Sequence, residues 1–204
     1  SVLDLGRLWE RLLRRAGVPL AYTQGYSPHP RFQFASPLPV GYSSECEVMD
    51  IWLDRRVDLK ELARKMVGQS PAGLTVREVA EVPLPAPYPQ ATLRAAEYRV
   101  QLESPASVAE IDAAIERLLA QTSIERRRVR KKGQLQSYDL RPLIHSVRHE
   151  GVDGNRHRLW VDVQCGPRGS GRPEEIVEAM GVDASHVAIH RIRLVWGERE
   201  EKQA

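Results

Sequence analysis

His29 stands between two prolines in the segment Gln24-Gly25-Tyr26-Ser27-Pro28-His29-Pro30-Arg31. Proline fixes the backbone and glycine releases it, so such a segment can hold an imidazole at a set place beside a cation. In that pairing His29 would be a general acid or base for metal-independent RNA cleavage, with Arg31 stabilising the phosphate. Alternatively the histidine fixes the loop by a hydrogen bond. Tyr22, Phe32 and Phe34 make the segment more aromatic than a solvated linker. Gln24, Tyr26, His29 and Arg31 are therefore the ligand-loop candidates, and His29 is the one catalytic candidate.

A second group is the run Arg126-Arg127-Arg128-Val129-Arg130-Lys131-Lys132, six cations in seven residues. On a strand these side chains project from both faces, so at least one row stays in solvent. They suit either phosphate contacts, which position a backbone without reading its sequence, or a charged edge that blocks strand-to-strand aggregation. Gly166-Pro167-Arg168-Gly169-Ser170-Gly171-Arg172 offers free amides and two arginines ahead of a helix start at Pro173, which resembles a phosphate cradle. It lacks the Lys-Ser/Thr ending of a nucleotide-binding P-loop, so ATP or GTP is not expected, and a plain hairpin-like loop is the alternative. Asp139 and Arg141 are spaced to clamp one another or a ligand.

The six histidines show no metal-ligand spacing, and no cofactor or metal is expected. Cys46 and Cys165 are far apart with no Cys-x-x-Cys spacing, which points to a reduced, cytoplasmic protein. No run approaches the roughly 20 apolar residues of a membrane span, and no secretory leader is expected because an amphipathic helix opens the chain.

Formal net charge is only +3, but it is segregated. Residues 124–149 hold eight basic side chains against two acidic, whereas residues 36–123 hold nine against thirteen. A basic surface of this kind calls for an anionic partner, nucleic acid first among them.

The elements that must position these groups follow from periodicity. Leu5, Leu8, Trp9, Leu12 and Leu13 recur at helical spacing up to Gly17. Phe32 and Phe34, then Met49, Ile51 and Leu53, alternate as strands, and Asp58 with Glu61 opens a second helix. Gly73 to Val82 reads as a further strand with a bulge. Pro83, Pro85, Pro87 and Pro89 mark an extended linker over residues 83–94. Beyond it, strands at Tyr98–Leu102, Ile124–Lys132, Leu159–Val163 and His190–Trp196 flank helices opened by the Ser107/Glu110 box and by Pro173. The order of the second half is β-α-β-β-α-β; the first half has the same order without its opening strand. The expected fold is α+β, two tandem ferredoxin-like units over residues 1–82 and 95–197, followed by a charged tail over 198–204. The missing strand is expected upstream of Ser1 or supplied in some other way.

Ser1-Val2-Leu3-Asp4-Leu5, Arg14 to Pro19, Gln24 to Arg31, Phe34 to Gly41, Glu45 to Ile51, Tyr138-Asp139-Leu140-Arg141 and Gly171 to Glu175 together resemble a radical-SAM-associated bacterial domain of unknown function. That family is found free-standing or fused behind radical SAM modules. Members usually begin with a strand before Ser-His-Leu-Asp, and here Val2 stands at the histidine position. The chain has no Cys-x3-Cys-x2-Cys motif, so it would assist radical chemistry only as a partner. With the resemblance added, the expected function is a non-catalytic module that binds tRNA or rRNA and presents it to a modifying enzyme. Arg126, Arg127, Arg128, Arg130, Lys131, Lys132, Arg168 and Arg172 would hold phosphates. A His29 ribonuclease and a protein-interaction scaffold without nucleic acid are the alternatives.

Overall fold

The computed structural model describes residues 2–129 and 134–197, as a mixed α+β protein. The chain divides into two compact units, residues 1–39 with 48–89 and residues 40–47 with 90–204.

In the first unit, helix α1 (Val2–Arg15) buries Leu12 and Leu13. Asp4 in its first turn and Arg14 and Arg15 in its last suit the helix dipole. Gly17, at φ 64°, ends it, a conformation that costs a residue with a Cβ about 1 kcal/mol or more. Strand β1 (Phe32–Phe34) is followed by β2 (Tyr42–Ser44), which belongs to the second unit, and then by β3 (Met49–Ile51). β1 and β3 pair antiparallel with Phe32 opposite Ile51. Helix α2 (Leu59–Gln69) is capped by Asp58, whose Oδ1 accepts the Glu61 N–H at 2.8 Å. Leu12, Leu13, Ala16, Val18, Leu20, Leu62 and Met66 form the core of this unit.

The strand expected over Gly73 to Val82 does not form. Those residues have no ladder partner, and Leu74, Val76 and Val79 pack their side chains directly on the α1–α2 core. Apolar burial rather than a ladder holds these three side chains, which explains why their spacing kept no strict period of two. Residues 83–88 are a turn and extended chain, and residues 89–92 form a single helical turn, α3 (Pro89–Thr92).

The second unit runs β4 (Leu93–Glu103), α4 (Val108–Ala120), β5 (Glu125–Val129), β6 (Leu135–Asp139), β7 (Ile144–Asp153), β8 (Arg156–Gly166), β9 (Gly169–Ser170), α5 (Pro173–Met180) and β10 (His186–Trp196). Its main sheet has the order β2-β10-β4-β8-β7. All neighbours are antiparallel except β2, which lies parallel to β10. β5 and β6 form a separate hairpin. Helix α4 opens with a complete capping box, Glu110 N–H to Ser107 Oγ and Ser107 N–H to Glu110 Oε2. Tyr98, Val100, Leu102, Leu159, Val161 and Val163 point to the face covered by α4 and α5, where Ile111, Leu118 and Ile176 are fully buried. The period of two then sends Arg99, Gln101, Trp160 and Asp162 to the opposite, open face.

The parallel edge strand is tied down by a buried cation. Arg191, 2% exposed, donates from Nη1 to both Glu47 oxygens at 2.8 and 3.1 Å, and its Nε donates to the Tyr98 hydroxyl at 3.1 Å. Burial pushes the Tyr98 phenol up to about 12. Cys46 and Cys165 are both free thiols. Among the described residues, no helix is long and apolar enough to cross a membrane.

Candidate nucleic-acid interface

Strand register brings five side chains into one row across the open face. Ser43 on β2 lies opposite His190 on β10, His190 opposite Arg99 on β4, Arg99 opposite Trp160 on β8, and Trp160 opposite Arg148 on β7. The Arg148 guanidinium stacks on the Trp160 ring, 4.0 Å from its centroid. In neighbouring rows Arg193 pairs with Glu97 at 3.2 Å and Arg156 with Glu103 at 3.0 Å, and His145 Nδ1 lies 3.4 Å from Asp162 Oδ1. Among the described residues, Arg99, Arg148 and Arg158 have no carboxylate at ion-pair distance. Arg99 and Arg148 thus place positive charge on both sides of a half-buried indole, while His190 at the edge of the row lies 3.3 Å from Glu45. A planar, positively charged surface of this kind can stack a base and neutralise its phosphate. None of these residues was a site candidate from the sequence, although Arg148 is one of the eight basic residues of segment 124–149 and the outward phase of strands 98–102 and 159–163 already held Arg99 and Trp160.

The basic run has a different fate. Arg126, Arg127 and Arg128 lie on β5; Arg130, Lys131 and Lys132 lie outside the described residues. Arg128 forks onto Glu175 in the first turn of α5, Nε to Oε1 at 3.1 Å and Nη2 to Oε2 at 2.9 Å. It also donates to the Ser170 carbonyl at 3.0 Å and stacks on Tyr138 at 4.1 Å. Tyr138 donates its hydroxyl to Glu175 as well. Burial alone would push the Glu175 carboxyl up, but the Arg128 guanidinium and the Tyr138 hydroxyl outweigh it and hold it below the usual range. Arg126 reaches the Glu175 carbonyl at 3.4 Å, while its Nε is buried without a partner among the described residues. Arg127, on the other face of β5, is exposed, 3.8 Å from Glu125.

The glycine-rich segment closes as a tight hairpin turn between β8 and β9, with Gly166 opposite Gly169. Its glycines answer to packing. At Gly166 a Cβ would sit 2.2 Å from the Leu93 carbonyl oxygen, and at Gly171 one would sit 2.8 Å from Val163 Cβ. The helix N-terminus beyond it is already supplied with the carboxylates of Glu174 and Glu175, and Tyr42 donates its hydroxyl to Glu174. Arg168 is exposed on the turn and lines a pocket together with Leu93, Arg94 and Gly166. Arg172 is 3.9 Å from Glu174.

Asp139 and Arg141 do not clamp one another. Asp139 Oδ1 accepts the Ile124 and Arg141 N–H groups at 2.8 and 2.9 Å, which holds its carboxyl below the usual range. The Arg141 guanidinium donates twice to the Leu119 carbonyl, at 3.1 and 2.9 Å, and once to Ile144 at 3.2 Å. A helix leaves its last carbonyls without partners, and Arg141 satisfies one of them at the end of α4.

In the first unit, residues 22–30 form a pinned loop. Thr23 N–H donates to the His29 carbonyl and His29 N–H to Thr23 Oγ1, both at 2.9 Å. Gln24 and Tyr26 are exposed at its tip, and the His29 ring has no hydrogen-bond partner among the described residues. Arg31 instead stacks on Trp52, 5.2 Å from the ring centroid, and Trp52 packs edge-on to Tyr88. Among the described residues, no group of three His, Cys, Asp or Glu is placed to hold a metal ion.

Comparison with solved structures finds a Cbf5-Nop10-Gar1 complex at TM-score 0.48 and 14% identity, covering 97% of this chain and 47% of that one. An archaeal box H/ACA sRNP Nop10-Cbf5 complex follows at TM-score 0.42 and 13% identity, covering 98% and 46%. This chain therefore spans under half the length of these two. No curated protein matches it. The model of a family described as an uncharacterized protein conserved in bacteria (DUF2344) matches residues 1–173, and the chain belongs to that family.

Proposed function

We propose that the protein binds RNA on the open face of its second sheet, as a module that presents tRNA or rRNA to a modifying enzyme. The observation that carries the reading is the stack of Arg148 on Trp160 in line with Arg99, two arginines with no carboxylate at ion-pair distance among the described residues. Open sheets with aromatic and arginine platforms suit unstacked bases of single-stranded RNA. The order β10-β4-β8-β7 with helices on one side supports a ferredoxin-like reading of this unit. A radical SAM protein is the partner class that the family resemblance implies. The second reading, a protein-interaction scaffold, is favoured by one observation: Arg128 and Arg126 are engaged with Glu175 inside the fold.

The test titrates labelled tRNA and rRNA fragments at two salt concentrations against wild type, Trp160→Ala and Arg99→Glu/Arg148→Glu. Loss of one stacked base should weaken binding about 10-fold or more. The charge reversals should also lower the salt dependence, because fewer counterions are released. Affinity unchanged in both variants refutes the sheet as the site, and no binding by the wild type at either salt refutes RNA altogether.

A further inference from the structure

Ser43, His190 and Glu45 form a hydrogen-bonded chain at the edge of the same face. Ser43 Oγ lies 2.8 Å from His190 Nδ1, and His190 Nε2 lies 3.3 Å from Glu45 Oε2. The serine and the glutamate both ride on the segment 40–47 that leaves the first unit to pair with β10. That segment is held in register by the Glu45 N–H to Arg191 carbonyl bond at 3.1 Å and by the ion pair of the buried Arg191 with Glu47. An edge-strand serine can satisfy its hydroxyl with water. Here the hydroxyl meets an imidazole whose far nitrogen rests on a carboxylate, the constellation that activates a serine nucleophile. The ring nitrogens are used in the order Nδ1 to serine and Nε2 to carboxylate. Either nitrogen serves as the base, since the bond made by the other fixes the tautomer.

We propose that Ser43 and His190 are catalytic residues for hydrolysis of carboxylic esters carried by anionic molecules, with Glu45 as the positioning residue. His190 Nδ1 takes the hydroxyl proton as Ser43 Oγ bonds to the acyl carbon. The bond from that carbon to the leaving oxygen then breaks, and the proton passes from His190 to the departing alcohol. Water attacks the acyl-serine, giving its proton to the same nitrogen; the carbon–Oγ bond breaks, and Ser43 recovers the proton as the carboxylic acid leaves. No oxidant, reductant or cofactor enters. Anionic substrates follow from Arg99, which stands directly opposite His190 with no carboxylate at ion-pair distance among the described residues. Strand spacing places its Cα about 10 Å from that of Ser43, so an arginine side chain reaches a charged group on an ester attacked there.

The test treats the full chain with a fluorophosphonate probe, read by intact mass and peptide mapping, and follows hydrolysis of p-nitrophenyl acetate and p-nitrophenyl hemisuccinate. The expected result is one adduct on Ser43, none in Ser43→Ala, and labelling slowed by about 100-fold in His190→Gln. Glu45→Gln should slow it less. The hemisuccinate should be preferred, and Arg99→Ala should abolish that preference. Thermal unfolding of each variant shows whether it is folded. A folded wild type with no adduct, an adduct that survives Ser43→Ala, or a folded His190→Gln labelled at the wild-type rate overturns the triad. Equal rates on the two esters overturn the anionic class.

Discussion

Arg128 and Glu175, 47 residues apart, meet through two parallel charge-assisted hydrogen bonds and join the β5–β6 hairpin to the first turn of α5. Both side chains are largely withdrawn from solvent, at 26% and 12% exposure. Removing one partner strands the other charge, so Arg128→Ala should cost about 2–3 kcal/mol. Arg127→Ala, one residue away on the solvent side, should stay within about 0.5 kcal/mol. Urea unfolding followed by circular dichroism decides it, and equal losses for the two arginines would show that the Arg128–Glu175 pair does not brace the hairpin.

Glu175 also sets an acid limit. Its folded carboxyl is held below its unfolded value by Arg128 and Tyr138, against the burial that would raise it. The stability it contributes is therefore complete above the ordinary Glu value of about 4.3 and is lost as pH falls below it. Asp139 acts in the same direction through the Ile124 and Arg141 amides. Urea midpoints measured from about pH 6 down to about pH 3 should fall less steeply in Glu175→Gln than in wild type. Parallel curves would assign the acid sensitivity elsewhere.

Arg191 anchors the edge strand from beneath. Arg191→Ala leaves Glu47 and the Tyr98 hydroxyl without their partner. With Glu47 partly exposed, the loss of about 2–3 kcal/mol comes mainly from the buried Tyr98 hydroxyl and the space left by the side chain, and hydrogen exchange should accelerate first at residues 42–45. If the loss is uniform across the sheet with no excess at that edge, the anchoring role is wrong.

Gly166→Ala should be the harshest glycine substitution in the unit. Its φ is 152° and the new Cβ would fall 2.2 Å from the Leu93 carbonyl oxygen, so backbone must move; about 3 kcal/mol is expected. Gly154, at φ 59° with open space around it, should lose only about 1 kcal/mol on the same change. Thermal unfolding of the pair tests whether the glycine-rich turn answers to packing.

Much of the second unit was legible because alternation and capping are local. The phase of Tyr98, Val100 and Leu102 predicted an inner face, and Ser107 with Glu110 predicted a helix start that forms as a full box. The strand expected over 73–82 was not legible, because apolar side chains can be buried against helices without any ladder. Nor could the basic run be read for its partners: Glu175 lies far along the chain, and nothing local announces that Arg128 will face it.

By itself the sequence determined the α+β character, most helix and strand positions, and the segregation of positive charge. All of these depend on neighbours within a few residues. Tertiary structure alone decided which cations are engaged and which are open. It paired β2 with β10, set Ser43 against His190, and aligned Arg99, Trp160 and Arg148 in one row. Those placements arise from strand register between distant segments, where a slip of one residue sends every side chain to the other face.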